Sequence, residues 1–420
     1  MMHWLALAAK SAWNRRLTLG LTLAAVALSV ALLLGIERVR RDARESFANS
    51  VSGTDLVVGA RTSPVQLMLY AVFRIGEATN NIRWDAFRAV AGDPAVAWAI
   101  PLSLGDSHRG FPVLGTTSAY FEHFRYGDRR ALEFCAGAPF RGVFDAVLGA
   151  EVAHRLGYHL GDRIILSHGI GGIGLPEHAD KPFTVVGILA PTGTPVDRTV
   201  HVSLEAITAI HLDWQGGAPV PGFSIPPEYV RKFDLSPKEI TAALIGLKSR
   251  AAVFRMQRRI DDYAGEPLLA VLPGVALDQL WEVVGTVERA LLAVSAMVVV
   301  VGLAGLVAVI LAGLNERRRE LAILRSVGAR PGGIFLLLTI DGLIVTVLGC
   351  VLGVLLLAAL TAAARPFAQS HYGLAIHLQL LSLAELRLLA AVVLVGLLAS
   401  LVPGYRAYRL SLADGLTPRL

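Results

Sequence analysis

The chain has 420 residues, of which 54% are hydrophobic and only 17% are charged. Soluble domains carry about 25% charged residues, so this composition excludes an ordinary soluble protein and indicates a membrane protein. The formal net charge of +6 does not indicate nucleic-acid binding, because the arginines lie beside apolar runs without interleaved aromatic residues. The two cysteines, Cys135 and Cys350, exclude a disulfide framework, since the second lies inside an apolar run.

The first residues predict an interfacial helix followed by a membrane span. Residues 1–16 combine Trp4 and Trp13 with three cations, which is typical of a helix at the level of the lipid headgroups. Residues 17–36 carry no charge and would cross a bilayer core of about 30 Å as one helix. The run is longer than the apolar part of a signal peptide, and no small-residue cleavage site follows it. We therefore expect an uncleaved anchor.

Residues 37–289 contain no further span and predict one α+β domain, in one or two lobes, inserted between the first two spans. Its two ends, Glu37–Phe47 and Ala276–Glu288, predict stalk helices that continue the membrane helices. Between them, short apolar runs bounded by glycine and proline predict strands such as Phe183–Leu189, and segments such as Trp84–Ala91 predict helices.

Three more apolar runs follow, so the fold class is an integral membrane protein with four transmembrane α-helices and a large α+β extracytoplasmic domain between helices 1 and 2. The predicted segments are a second span at 290–314, a cytoplasmic coupling helix at 315–333, a third span at 334–364, an external loop at 365–387, a fourth span at 388–403 and a cytoplasmic tail at 404–420. The third span carries Gly349 and Gly353, a GxxxG pattern that lets a neighbouring helix approach closely.

The segment between the second and third spans has the composition of an amphipathic helix. Glutamate, arginine, leucine and alanine dominate it. Leu321 and Leu324 lie on neighbouring turns, and Gly328 stands where a left-handed C-terminal cap would end the helix. One interpretation is a solvated loop whose arginines only fix the membrane topology. The other is a docking helix for a cytoplasmic partner.

This segment resembles the conserved core of the FtsX/MacB-type permeases of ABC transporters. In that family, an E-R-R-x-E-[IL]-x-[IL]-[LM]-[KR]-x-[ILV]-G-A run links the second and third membrane helices and rests on the ATPase, and here it is present at Glu316–Ala329. Further similarity lies at Ala146–Gly157, Gly161–Ile164, Phe183–Leu189 and Pro403–Leu410. The resemblance implies that the ATPase-coupling residues are Glu316, Arg317, Arg318, Arg319, Glu320, Leu321, Leu324, Arg325 and Gly328.

The distribution of arginines predicts the orientation of the spans. Five arginines lie between Asn315 and Gly333 and three in the tail, against two in the connection at 365–387. By the positive-inside rule, we expect both termini and the coupling helix to be cytoplasmic and the inserted domain to be external. The resemblance implies that the membrane is the bacterial inner membrane. The arginines between Arg38 and Arg44 depart from this rule.

Several catalytic motifs are absent from the sequence. It contains no G-x-x-x-x-G-K-[ST] phosphate loop and no G-x-S-x-G, H-E-x-x-H or C-x-x-C pattern. We therefore predict no catalytic residue, no enzyme activity and no cofactor in this chain, with ATP and Mg²⁺ bound by a partner. The resemblance implies a separate cytoplasmic ABC ATPase, a second permease copy or sister permease, and a possible periplasmic or outer-membrane accessory protein.

Asp341 is an ionisable residue about two turns into the third span. Charged groups at such depth are costly and usually face the bundle interior or water. The family usually has glutamate at this position. Two interpretations stay open: a partner for an arginine of the docking segment or of another span, or a carboxylate that is hydrated or simply protonated.

The histidines are unusually numerous. Of the 11 in the chain, ten fall in regions predicted to be external. Imidazole is a common ligand of transition metals, but no two histidines have the H-x₃-H spacing of a helical metal site, and His154 and His159 are five apart. We predict scattered histidines and assign no metal ligand, while keeping a zinc-linked role as a hypothesis.

The predicted function is that of a permease subunit that couples ATP hydrolysis by a separate ATPase to movement of its external domain, acting on a periplasmic or envelope substrate in export or efflux. The alternatives are a lipoprotein-releasing or cell-wall-hydrolase-regulating complex, and a zinc-linked envelope transporter. A more distant alternative is a membrane receptor. A receptor would need a cytoplasmic signalling domain, and the longest predicted cytoplasmic segment is under about 20 residues.

Overall fold

The computed structural model describes residues 16–169, 177–215, 218–220, 223–316, 330–372 and 381–409. These residues form two compact units. The unit called here the membrane unit lies within residues 1–42, 285–368 and 376–420, and the inserted unit within residues 43–284 and 369–375.

The long helices of the described residues carry the apolar runs. In chain order the helices are α1 Arg16–Asn49, α2 Pro64–Ala71, α3 Trp84–Ala91, α4 Ala119–His123, α5 Ala150–Leu156, α6 Leu204–Ile210, α7 Val253–Asp261, α8 Pro273–Glu316, α9 Pro331–Tyr372 and α10 Leu383–Arg409. Four of them contain stretches long and apolar enough to cross a membrane, namely Leu17–Glu45, Val284–Leu314, Pro331–Ala364 and Leu383–Arg409.

The strands of the described residues belong to the inserted unit. In chain order they are β1 Leu56–Ala60, β2 Ile82–Arg83, β3 Val96–His108, β4 Phe111–Thr116, β5 Arg125–Tyr126, β6 Arg130–Ala131, β7 Phe134–Gly137, β8 Asp145–Leu148, β9 Arg163–Ile164, β10 Ser167–His168, β11 Phe183–Leu189, β12 Val200–Ser203, β13 Trp214–Gln215, β14 Ala218–Pro219, β15 Glu239–Ile240, β16 Ala242–Leu247 and β17 Leu268–Val271.

The membrane unit is built around one apolar cluster. Val26, Val30 and Leu34 of α1 share it with Leu303 and Leu306 of α8, and residues of α9 and α10 join them. Only between 22% and 44% of the most apolar window of each helix is buried inside the chain. The rest of the apolar surface needs lipid or other protein chains around it, as the helices of a membrane protein do.

The inserted unit contains a mixed sheet of eleven strands among the described residues. Its main order is β17-β1-β16-β3-β4-β12-β8-β11-β7, with β10 beside β3 and β9 beside β11. The pairs β4–β12 and β8–β11 are parallel. Strand β11 alternates buried and half-buried residues along its whole length. Because successive side chains of a strand point to opposite faces, one face of β11 is more deeply buried than the other.

The long strand β3 joins the two halves of this sheet. Its residues from Val96 to Leu102 pair with β16, and those from Ser103 to His108 pair with β4. The register with β4 shifts between Leu104 and Ser107, where Gly105 has a φ of +145°. This irregularity breaks the simple alternation of the strand, and Asp106 and Ser107 are consecutive buried residues.

The predicted fold class is confirmed: four candidate spans accompany an α+β domain inserted after the first of them. The strand Phe183–Leu189 and the helix Trp84–Ala91 have the predicted bounds. The long helices extend beyond the apolar runs from which they were predicted. Residues 365–372 belong to α9, and α10 begins at Leu383, so part of the predicted external loop is helical.

Candidate functional site

The predicted coupling helix lies almost entirely outside the described residues. Glu316 is the last residue of α8, and the description resumes at Arg330. The coupling roles therefore stay predictions for Glu316 and for Arg317, Arg318, Arg319, Glu320, Leu321, Leu324, Arg325 and Gly328.

The helix ends that flank this segment are packed together. Leu314 of α8, Ile334 and Leu338 of α9, and Ala407 of α10 form a buried apolar cluster, called here the coupling-end cluster. Van der Waals packing of these side chains holds the ends of α8, α9 and α10 against one another.

Asp341 lies on α9 beside the closest approach of α9 and α10. It is half-buried, and its side chain is not without an interaction partner. At the neighbouring Gly342, an added Cβ would lie 2.1 Å from the hydroxyl oxygen of Ser400. At Gly396 of α10, it would lie 2.5 Å from the methyl group of Thr346. Gly342 and Gly396 therefore lie at a tightly packed crossing of α9 and α10. The functional role of Asp341, the residue before Gly342, stays a prediction.

The GxxxG pattern of α9 contacts α1 of the same chain. A Cβ added at Gly349 would lie 2.5 Å from a Val26 methyl group, and one at Gly353 would lie 2.8 Å from the Ala27 carbonyl oxygen. The two glycines thus allow close helix packing within one subunit. Their partner is identified as α1, which sequence spacing alone could not specify.

A buried ion pair connects α1 with α10. Arg38 donates from Nε to Glu385 Oε1 at 3.1 Å, and the two side chains are 9% and 0% exposed. Arg41 Nη1 lies 3.7 Å from Glu385 Oε2. Glu385 also accepts a bond from the Ser382 backbone N–H at 2.6 Å, while its own N–H donates to Ser382 Oγ at 3.2 Å. This reciprocal arrangement is a capping box at the start of α10.

A second set of ion pairs lies beside the first. Arg40 binds both carboxylate oxygens of Glu37, at 2.8 and 2.9 Å. Its Nη1 lies 3.8 Å from Glu288 Oε2 on α8. The residues Glu37, Arg38, Arg40, Arg41, Glu288 and Glu385 are called here the ion-pair cluster. Within this cluster, carboxylates compensate the charges of Arg38, Arg40 and Arg41.

The ion-pair cluster was missed in the sequence. The pattern Ser382-Leu383-Ala384-Glu385 ahead of an apolar run is a capping signature that could have been found. Glu385 and its partner Arg38 are 347 positions apart in the sequence, and no local pattern predicts that they pair.

Two family models match the chain. The FtsX-like permease C-terminal model matches residues 292–412, and the model of the MacB-like periplasmic core domain matches residues 19–262, more than half of the chain. The chain belongs to the FtsX/MacB family of ABC transporter permeases.

Among curated proteins, this permease is 24% identical over 346 residues to the Macrolide export ATP-binding/permease protein MacB of Azoarcus sp. (strain BH72). The alignment covers 80% of this chain and 48% of the relative, so the permease spans about half of the relative's length.

Two solved structures show weak similarity to the permease. The periplasmic region of MacB from Actinobacillus actinomycetemcomitans matches with 9% identity and a TM-score of 0.34, over 55% of this chain and 94% of that one. The extracellular domain of the noncanonic ABC-type transporter YknZ from Gram-positive bacteria matches with 13% identity and a TM-score of 0.29, over 52% and 98%.

The histidines of the permease are not all scattered, contrary to the expectation from their spacing. His168, His178 and His211 converge with Asp106 so that one ligand atom of each lies within 4.8 Å of the others. The residues come from four separate segments of the inserted unit, and no sequence pattern links them. Elsewhere, His154 and His159 are exposed.

Proposed function

We propose that this permease couples ATP hydrolysis by a cytoplasmic ABC ATPase to movement of its inserted unit. The observation that carries the proposal is the pair of family matches, one over the inserted unit and one over the last three spans. The ATPase would be a separate polypeptide, and the permease would work with a second copy or a sister permease. The sequence itself supplies no phosphate-binding loop.

The proposed mechanism begins at residues 317–329. Closure of the ATPase would push this segment, and the coupling-end cluster would transfer the displacement to α8, α9 and α10. Helices α1 and α8 lead the chain into and out of residues 43–284. Their tilt would move the inserted unit mechanically, without a polar channel through the bundle.

The proposed orientation places residues 317–329 and both termini in the cytoplasm of a bacterium and the inserted unit outside its inner membrane. Arginine distribution supports this orientation. The substrate would already be in the periplasm or envelope. A macrolide, as in the name of the Azoarcus relative, is one class to test, and an accessory protein of the periplasm or outer membrane is a further proposed partner.

The test combines co-purification with ATPase kinetics. We expect an ABC ATPase to be recovered with the tagged permease from native membranes under mild detergent. The double variant Arg318→Glu and Arg325→Glu should lose the permease-dependent change in ATPase rate, because two cations at the docking surface become anions. The matched control is Arg255→Glu with Arg258→Glu, two exposed arginines of α7, which should leave the rate unchanged.

Two results would contradict the proposal. One is recovery of the permease alone with nucleotide present, which would favour the receptor alternative. The other is unchanged coupled hydrolysis in the Arg318→Glu, Arg325→Glu variant. Recovery of a lipoprotein or a cell-wall hydrolase beside the ATPase would favour the releasing or regulatory complex over export.

A further inference from the structure

Asp106, His168, His178 and His211, called here the histidine cluster, are brought together by the fold of the inserted unit. Asp106 and His168 are register partners on the antiparallel strands β3 and β10. His211 follows the last residue of α6. The His178 N–H donates to the Leu166 carbonyl at 2.9 Å, which holds that segment beside β10.

Two pairs of candidate ligand atoms in the cluster have the spacing found around a bound metal ion. His168 Nδ1 lies 3.2 Å from Asp106 Oδ1 and 3.3 Å from His211 Nε2. His211 Nε2 lies 3.8 Å from Asp106 Oδ1. Bond lengths of 2.0–2.1 Å to a tetrahedral zinc ion place ligand atoms about 3.3–3.4 Å apart. The shorter separations match this value, and the widest, up to 4.8 Å, would contract on binding.

The tautomer of His211 suits a ligand. Its Nδ1 lies 2.7 Å from the Ile207 backbone carbonyl, which can only accept a hydrogen bond, so Nδ1 carries the proton. Nε2 therefore presents its lone pair to the cluster. A histidine that donates its other ring N–H to a carbonyl is the usual arrangement around a bound metal ion, since the bond fixes the ring orientation.

His178 is the most informative member, because neither ring nitrogen has a partner among the described residues. Its side chain is completely buried, and both Nδ1 and Nε2 are inaccessible. The ring lies 4.9 Å from that of His211 and 4.1 Å from that of Trp214, centroid to centroid. A buried polar group without a hydrogen-bond partner destabilises the fold. A ligand that bound a ring nitrogen of His178 would remove this cost.

The charge of the cluster fits a cation. His168 Nδ1 lies 3.2 Å from Asp106 Oδ1, so a cation bound by His168 would lie beside the Asp106 carboxylate and be compensated by its negative charge.

A buried ion pair fixes the two segments that carry His178 and His211. Lys181 Nζ lies 2.7 and 2.8 Å from the two carboxylate oxygens of Asp213, and the side chains are 0% and 3% exposed. Asp213 also accepts from the Ile225 N–H at 2.9 Å. The ion pair therefore positions the cluster in advance.

We propose that Asp106, His168, His178 and His211 bind one divalent transition-metal ion of the zinc class in the inserted unit. Three imidazoles and one carboxylate suit such an ion better than magnesium or calcium, which prefer oxygen ligands. Four protein ligands leave no open coordination position, so the ion has a structural or sensing role. The side chain of His168 is 40% exposed, so the ion would enter the site from the side of this residue. The site does not depend on coupling to an ATPase.

The test uses the full-length protein, purified in detergent without a histidine tag and stripped with a chelator. Zinc is returned at a defined free concentration, and bound metal is counted by mass spectrometry. We expect one equivalent per chain in the wild type. His168→Gln and His211→Gln should each weaken zinc binding by about 100-fold or more, since loss of an outer-shell partner alone costs about 10–100-fold. The matched control is His154→Gln, an exposed histidine outside the cluster.

Cobalt substitution of the wild-type protein supplies a readout that does not depend on how the variants fold. Co²⁺ in the stripped protein should give the intense visible absorption of tetrahedral nitrogen and oxygen coordination, and zinc should displace it. Failure of the wild type to retain zinc, an octahedral cobalt spectrum, or equal loss of zinc in His154→Gln and His168→Gln would each overturn the site.

Discussion

His201 is a neutral histidine held in the core of the inserted unit. Its side chain is completely buried, with its ring 5.2 Å from Tyr120 and 6.0 Å from Phe121, centroid to centroid. Nδ1 lies 3.3 Å from the Val147 carbonyl, and Nε2 has no partner among the described residues. Burial, with a contribution from the cation of Arg74, lowers the pKa of His201 to about 3.

This pKa predicts a loss of stability in acid. The unfolded chain takes up a proton at His201 below about pH 6.5, whereas the folded chain excludes it down to a pKa of about 3. The free energy of unfolding therefore falls as the pH drops through this window. His201 contributes a loss of about 2 kcal/mol between about pH 7 and about pH 5. We expect the wild-type unfolding midpoint to fall over that interval and His201→Phe to fall less. The control His154→Gln should keep the wild-type slope, and equal slopes in all three proteins would contradict the prediction.

The Arg38–Glu385 pair predicts a different outcome for single and double substitutions. Glu385→Gln leaves the buried Arg38 without its counter-charge, which costs about 3–5 kcal/mol when a buried pair is broken. We expect a clearly lowered thermal midpoint in detergent. The double variant Arg38→Gln with Glu385→Gln removes both charges and should be more stable than Glu385→Gln alone. A double variant that loses the sum of both single effects would show that the pairing is unimportant.

At the scale of elements, helices of the membrane unit pack closely against one another at glycine residues. Gly353 and Gly349 bring α9 against α1, and Gly342 and Gly396 bring α9 against α10. In lipid there is no hydrophobic driving force between helices, so close van der Waals contact at small residues becomes decisive. Helix α9 therefore makes close contacts at glycines with both α1 and α10.

A valine at Gly353 should separate α1 from α9. The added Cβ would lie 2.8 Å from the Val30 Cβ and from the Ala27 carbonyl oxygen, so one helix must move. Overpacking of this kind costs about 1–3 kcal/mol, and we expect Gly353→Val to lower the thermal midpoint. Gly305 of α8 has nothing within 4 Å of an added Cβ, and Gly305→Val is the control. If both variants have the thermal midpoint of the wild type, the contact between α1 and α9 does not contribute to the stability of the protein.

At the scale of the whole molecule, the two cysteines provide a topology test. Cys135 is exposed in the inserted unit and Cys350 is buried in the membrane unit. If the inserted unit is external, a membrane-impermeant maleimide should label the wild-type protein in spheroplasts. The variant Cys135→Ser should lose the label, while Cys350→Ser should keep it. Labelling of Cys135 only after membranes are opened would reverse the proposed orientation.

Local sequence patterns predicted individual helices and strands, but they did not predict contacts between residues far apart in the chain. The helix Trp84–Ala91 and the strand Phe183–Leu189 follow from periodicity and flanking turns. The Ser382–Glu385 cap is visible as a pattern but was not recognised. The histidine cluster could not be predicted, because its residues lie far apart in the chain and no local pattern indicates that they converge.

The sequence by itself determined the membrane class, the four spans, the inserted α+β domain and the family, because apolar run length and motif order are local properties. Only the tertiary structure decided which groups meet. It paired Arg38 with Glu385, directed Gly353 towards α1, and gathered Asp106, His168, His178 and His211 around one point. Such contacts join residues far apart in the chain, and their partners are fixed by the packing of whole elements.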